Sequence, residues 1–181
     1  MNDLRHKAKA VRLLILDVDG VLTDGRVYVG CCGDEMKAFH IRDGYALKLL
    51  QASGIGIALL SGRRSEPTRA RAAELGIDEV HEGALVKLPV YEDLLRRRGL
   101  TDAEVAFMGD DLMDVPLLRR AGLSGTVADA TREAKDASDY VAQAQGGAGA
   151  VREFVELILK AQGLWDAVLR GLETGAPEAL P

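Results

Sequence analysis

Asp17 and Asp19 stand two residues apart directly after a short apolar run, Leu13–Leu16. On an extended segment both carboxylates can face one cleft. One of such a pair can serve as nucleophile and the other as acid or base. A second acidic group, Asp110, Asp111 and Asp114, follows another apolar run, Val105–Met108. Crowded carboxylates repel unless something positive sits among them. An oxygen-only set suits Mg²⁺, a hard cation that keeps waters and substrate phosphate in its shell. Ser61 and Lys87 add a hydrogen-bond donor and a cation for phosphoryl oxygens. Each feature alone has a plain explanation: an Asp-Gly turn, helix capping, a strand-to-helix turn, a solvated lysine. Their convergence argues for phosphoryl transfer.

Convergence needs elements that end at one rim. Leu13–Leu16, Ile55–Leu60 and Val105–Met108 read as strands buried on both faces. Glu79–His81 is a shorter strand, and weak strands are expected at Gly125–Val127 and Tyr140–Val141. Helical spacing marks Tyr45–Ala52, Glu66–Leu75, Lys87–Arg98, Val115–Arg120, Thr131–Lys135 and Val151–Gln162. Gly54, Gly76 and Gly99 stop three of these. This alternation predicts a doubly wound parallel sheet, a Rossmann-like α/β fold. In such a sheet ligands bind beyond the carboxyl ends of the strands, where Asp17, Ser61 and Asp110 fall. Arg26–Val29 and Glu35–Phe39 flank a Gly-rich turn and predict a β-hairpin, with Val27, Val29, Met36 and Ala38 expected on one face. A single domain is expected over residues 1–170, with a disordered tail over 171–181.

The 181 residues suit one domain with a substantial core. An apolar share of 48% and a charged share of 28% exclude a disordered chain or a coiled coil. A net charge of −5 and only 4% aromatics argue against nucleic acid or an anionic membrane as partner. No segment reaches the roughly 20 apolar residues of a membrane span. Cys31 and Cys32 are adjacent, no CxxC pattern occurs, and a cytoplasmic location is expected.

The segments Asp17-Val18-Asp19-Gly20-Val21-Leu22-Thr23-Asp24, Ser61-Gly62, Lys87 and Gly109-Asp110-Asp111-Leu112-Met113-Asp114 resemble the four motifs of haloacid dehalogenase-like phosphatases. The stretches Thr23–Tyr28, Phe39–Tyr45, Ser61-Gly62-Arg63 and Gly146–Glu153 are similar to a capless subfamily, the 3-deoxy-D-manno-octulosonate 8-phosphate (KDO 8-phosphate) phosphatases of lipopolysaccharide biosynthesis. The resemblance implies that Asp17 attacks phosphorus to form an aspartyl-phosphate. Asp19 then acts as general acid and afterwards as general base. It also implies that Asp17, the main-chain carbonyl of Asp19 and Asp110 bind Mg²⁺, with Asp111 in support, and that Ser61 and Lys87 hold the phosphoryl oxygens. A homotetramer, in which a neighbouring subunit helps to close each site, is implied as well.

The chain departs from that subfamily at Ala148, where relatives commonly carry Arg in a Gly-Gly-Arg-Gly tail. Arg63 and Arg42 remain as candidates for the carboxylate of a phosphorylated sugar acid, since Arg offers a bidentate fork. A phosphatase for a nine-carbon sugar acid 9-phosphate is the nearest alternative, but such relatives tend to carry Glu in place of Arg63. A receiver-type signalling domain would need its acceptor Asp after the third strand, and Glu79–His81 ends without one. A catalytically silent assembly domain would not need the whole motif set.

Overall fold

The computed structural model describes residues 2–174. Its elements in chain order are α1 (Asn2–Ala10), β1 (Leu13–Leu16), β2 (Tyr28–Val29), β3 (Glu35–Met36), α2 (Ile41–Ala52), β4 (Gly56–Leu60), α3 (Glu66–Leu75), β5 (Val80–His81), α4 (Lys87–Arg98), β6 (Val105–Met108), α5 (Val115–Leu118), β7 (Leu123–Thr126), α6 (Arg132–Ala137), β8 (Tyr140–Val141), α7 (Ala150–Ala161) and α8 (Trp165–Thr174).

Six strands form one parallel sheet in the order β5-β4-β1-β6-β7-β8. The four leucine and isoleucine side chains of β1 are fully buried, as a central strand covered on both faces requires. From β1 the chain winds outward through β4 and β5, then returns to β6 on the other side. The crevice at β1 is therefore the topological switch point, where such sheets bind ligands. Register fixes what meets there: Leu16 pairs with both Leu59 and Met108, so the residues that follow emerge on one rim. The Asp17 amide donates to the Met108 carbonyl at 2.9 Å and extends the ladder by one residue. Helices α1, α2 and α8 pack on α7, with α3 against α2, while α4 and α6 pack on α5.

Gly76 and Gly99 end α3 and α4 in the left-handed conformation, with φ of 68° and 63°. Two helices depart from the sequence expectation. In α1, Ala8 is buried and Leu4 partly so, leaving an apolar signal too thin to read. Asp3 in its first turn and Lys7 and Lys9 in its last complement the helix dipole, and α7 supplies its packing. Helix α8 takes up residues 165–174, so the first four residues of the expected tail are helical; residues 175–181 lie outside the described part.

Between Asp24 and α2 the chain builds only the β2–β3 hairpin, so no cap domain is inserted there. Its register corrects one expectation. Tyr28 pairs with Met36 and Val29 with Glu35. Directly opposed residues share a face, so Val29 and Met36 point to opposite sides. The turn length sets the offset between the two strands.

The Gly-rich stretch 145–150 is ordered packing rather than a flexible linker. The Gly147 amide donates to the Val21 carbonyl at 3.0 Å. A Cβ on Gly146 would lie 1.8 Å from the Gly20 carbonyl oxygen, closer than any atom can sit. Buried Asp43 of α2 accepts the Gly149 and Arg152 amides at 3.2 and 2.8 Å and so caps the start of α7.

Candidate active site

Asp17 is buried at the end of β1. Its Oδ1 accepts the Val18 amide at 2.7 Å and lies 2.8 Å from Nζ of Lys87, the first residue of α4. The same ammonium donates to Asp114 Oδ1 at 2.6 Å. Lys87 and Asp114 have no side-chain exposure, so neither charge has water to turn to. Asp114 Oδ2 accepts the amides of Asp110 and Asp111 at 3.0 and 3.3 Å, which folds the acidic loop back on itself. The Asp111 side chain is turned to the Leu112 amide at 2.7 Å, capping a short 3₁₀ turn over residues 112–114.

Asp17, Asp110 and Asp114 each bring a carboxylate oxygen within 4.8 Å of the others. Three carboxylates against the single ammonium of Lys87 leave a formal excess of two negative charges. Asp110 Oδ1 is buried and accepts no hydrogen bond. Burial, then Asp114, push the Asp17 carboxyl up to about 7 against the opposing pull of Lys87 and the Val18 amide. Burial, then Asp17, Asp114 and Asp111, push Asp110 up to about 8. Burial works to lower Lys87, but the two carboxylates beside it outweigh that and raise it. Hard oxygens, an orphaned buried acceptor and a double negative excess fit a divalent cation.

A cavity of about 230 Å³ opens beside this cluster, lined among others by Asp17, Asp19, Ser61, Arg63 and Asp110. Ser61 is buried, and its Oγ accepts the Arg63 amide at 3.1 Å, leaving its proton free to donate. Asp19 faces the cavity with Oδ1 2.6 Å from Lys37 Nζ. The Arg63 guanidinium stands at the rim, paired with Glu35 Oε2 at 3.1 Å. Arg42 does not join this group: it is exposed on the first turn of α2 and does not line the cavity.

Sequence reasoning singled out Asp114 only as one more acidic residue, missing its grip on Lys87. It passed over Lys37 and Glu35 altogether. The available signal was their period of two on either side of Met36, but charged residues on a hairpin are usually solvated. Thr23 was also missed. Its buried hydroxyl accepts the Gly20 and Gly25 amides at 3.3 and 3.2 Å and pins the loop after Asp19.

Such a carboxylate rim on a doubly wound sheet, together with a match of residues 34–122 to the haloacid dehalogenase-like hydrolase family, sets the class. The 3-deoxy-D-manno-octulosonate 8-phosphate phosphatase KdsC of Escherichia coli (strain K12) is 45% identical over 164 residues, 91% of this chain and 87% of that one. The crystal structure of the Yersinia pestis phosphatase of the same name aligns with a TM-score of 0.89 at 43% identity, covering 91% of this chain and 89% of that one. The Moraxella catarrhalis phosphatase, crystallised with magnesium ion, phosphate ion and KDO, aligns with a TM-score of 0.93 at 40% identity, covering 95% and 99%. The chain belongs to the 3-deoxy-D-manno-octulosonate 8-phosphate phosphatase family of haloacid dehalogenase-like hydrolases.

The raised carboxyls carry a stability consequence. Without metal, the folded state binds their protons more tightly than the unfolded chain does. Stability should therefore fall as pH rises from the ordinary carboxylate value of 3.8 towards about 8, and level off above. Asp110→Asn removes one repelling charge. Metal-free at pH 8, this variant should melt higher than the parent, by about 2–4 °C for each kcal/mol relieved. It should lose most of the stabilisation that Mg²⁺ gives. Calorimetry with and without Mg²⁺ checks this; an undiminished response to Mg²⁺ in the variant would refute the metal assignment.

Proposed function

We propose that the protein is a Mg²⁺-dependent phosphatase that hydrolyses KDO 8-phosphate to the free sugar acid and phosphate, in the route to lipopolysaccharide. The observation that carries this reading is the meeting of Asp17, Asp19, Ser61 and Asp110 around one cavity at the switch point. The relatives' names and the magnesium, phosphate and KDO of the Moraxella catarrhalis structure supply the substrate.

In this reading Asp17 attacks phosphorus and forms an aspartyl-phosphate as the bond from phosphorus to the sugar oxygen breaks. Asp19 gives its proton to that oxygen. Asp19 then takes a proton from the water that attacks the aspartyl-phosphate, and phosphate departs with Asp17 restored. Asp17, Asp110 and the main-chain carbonyl of Asp19 would hold Mg²⁺, with Asp111 in support. The bound cation offsets repulsion between these carboxylates and the phosphate dianion. Ser61 donates its free hydroxyl proton to a phosphoryl oxygen. Lys87 orients Asp17 and reaches the same group.

Phosphate release from a panel of sugar-acid phosphates should be fastest with KDO 8-phosphate, stop on adding EDTA and return with Mg²⁺. Asp17→Asn should abolish turnover, since an amide cannot form the acyl-phosphate. Full activity in metal-free buffer would refute the metal reading, and a faster nine-carbon substrate would replace the sugar.

Arg63, at the rim, is our candidate for the sugar carboxylate, with Glu35 keeping its side chain in place until substrate arrives. Arg42 is a candidate for the site of a neighbouring subunit. Arg63→Ala should raise KM for KDO 8-phosphate about tenfold, the loss of one charge-assisted bond. Hydrolysis of p-nitrophenyl phosphate, which lacks a carboxylate, should change little. An equal loss on both would assign Arg63 to the phosphate or the fold.

We also propose a cytoplasmic homotetramer. Among the described residues no helix is long and apolar enough to cross a membrane. Tyr28, Val29 and Met36 are 41%, 70% and 57% exposed on a two-stranded ribbon, which is marginal in water without partners. Light scattering at micromolar concentration should report a tetramer; a monomer would contradict it.

A further inference from the structure

Lys37 has a fully buried side chain, and the steps above leave it without a task. Burying an ammonium costs several kcal/mol unless it is paired. Three groups surround this one. Asp19 Oδ1 lies at 2.6 Å, Thr68 Oγ1 accepts from it at 3.3 Å, and Glu35 Oε1 lies at 3.6 Å. Glu35 is itself engaged, by Arg63 through Oε2 and by the Ser65 hydroxyl at 3.0 Å through Oε1. The close contact is therefore with Asp19. The ion pair is to Oδ1 alone; both carboxylate oxygens are buried, and neither has a hydrogen-bond partner of good geometry.

We infer that Lys37 is a positioning residue for the reaction, fixing the Asp19 carboxyl by one oxygen so that the other is presented to the departing sugar oxygen and later to the attacking water. This rests on the phosphatase reading above. A carboxylate on a loop can turn about two side-chain torsions, and proton transfer needs heavy atoms within about 2.6–3.2 Å. Lys37 comes from the hairpin and Thr68 from α3, so Asp19 is held from outside its own loop.

Leaving groups of different acidity distinguish this role from a structural one. Up to the first irreversible step, kcat/KM reports attack and leaving-group departure. An acidic phenol departs without a proton, whereas a sugar alkoxide does not. Lys37→Met should lower kcat/KM on KDO 8-phosphate by about 100-fold, the scale of a misplaced reacting group. Across a series of aryl phosphates, its kcat/KM should fall more steeply with leaving-group basicity than in the parent, as should that of Asp19→Asn. That slope does not depend on how much of the sample is folded, and Lys37→Gln offers a second variant should Lys37→Met fail to fold.

The double variant Asp19→Asn/Lys37→Met should be no slower than Asp19→Asn alone, because Lys37 acts only through Asp19. Parallel slopes for variant and parent, or losses that multiply in the double variant, would overturn the inference. So would a loss confined to KDO 8-phosphate with the aryl series untouched, which would put Lys37 on the sugar. If the parent protein hydrolyses the aryl series but not KDO 8-phosphate, the substrate reading fails while the slopes still judge Lys37.

Discussion

The buried ammonium of Lys87 faces the crowded carboxylates of Asp17, Asp110 and Asp114. Lys87 touches Asp17 and Asp114, of which Asp114 has no exposure to water, and Asp110 Oδ1 is left without a hydrogen bond. The fold around it serves this crowding. Strands β1 and β6 are hydrogen-bonded neighbours, so their ends deliver carboxylate oxygens within 4.8 Å of one another. Small residues are needed where the loops pass: a Cβ on Gly20 would fall 2.1 Å from Asp110 Oδ2, and one on Gly109 would fall 2.5 Å from the Asp114 Cβ. Backbone amides at Val18, Asp110 and Asp111 supply the remaining hydrogen bonds. Positive charge brought among these carboxylates would relieve their mutual repulsion.

The hairpin does for the far wall what Lys87 does for the near one. Glu35 in β3 and Lys37 just beyond it point inward, holding Arg63 and Asp19 respectively. A full cap domain is not needed to position these side chains. Two residues of ladder suffice, because Thr68 and Ser65 of the α3 region fix the same groups from the other side.

Much of this was legible in the sequence for a physical reason. A parallel strand buried on both faces is a short apolar run, and polar residues placed directly after such runs must emerge at one rim, so Asp17, Ser61 and Asp110 could be read together. Helices closed by Gly76 and Gly99 were bounded by the same local chemistry. What escaped depends on long-range partners. Lys37 is an ordinary hairpin lysine until Asp19 is folded against it. Asp43 is an ordinary first-turn acid until the amides of Gly149 and Arg152, more than a hundred residues on, are brought to it. The register of β2 on β3 depends on the turn between them, which is why Val29 and Met36 were placed on one face and lie on two.

The contact of Gly146 with the Gly20 carbonyl has a consequence for the order in which the molecule is made. Gly20 and Thr23 belong to the loop that carries Asp19, and the segment 146–147 packs on that loop with no room for a side chain. Every residue proposed for the chemistry lies before position 115, yet the loop holding Asp19 gains its last support from a segment some thirty residues later. A nascent chain emerging from the ribosome would therefore display all its acidic motifs long before it had a finished rim. The loop that carries Asp19 is therefore packed on both sides only once residues 146–147 have docked against it.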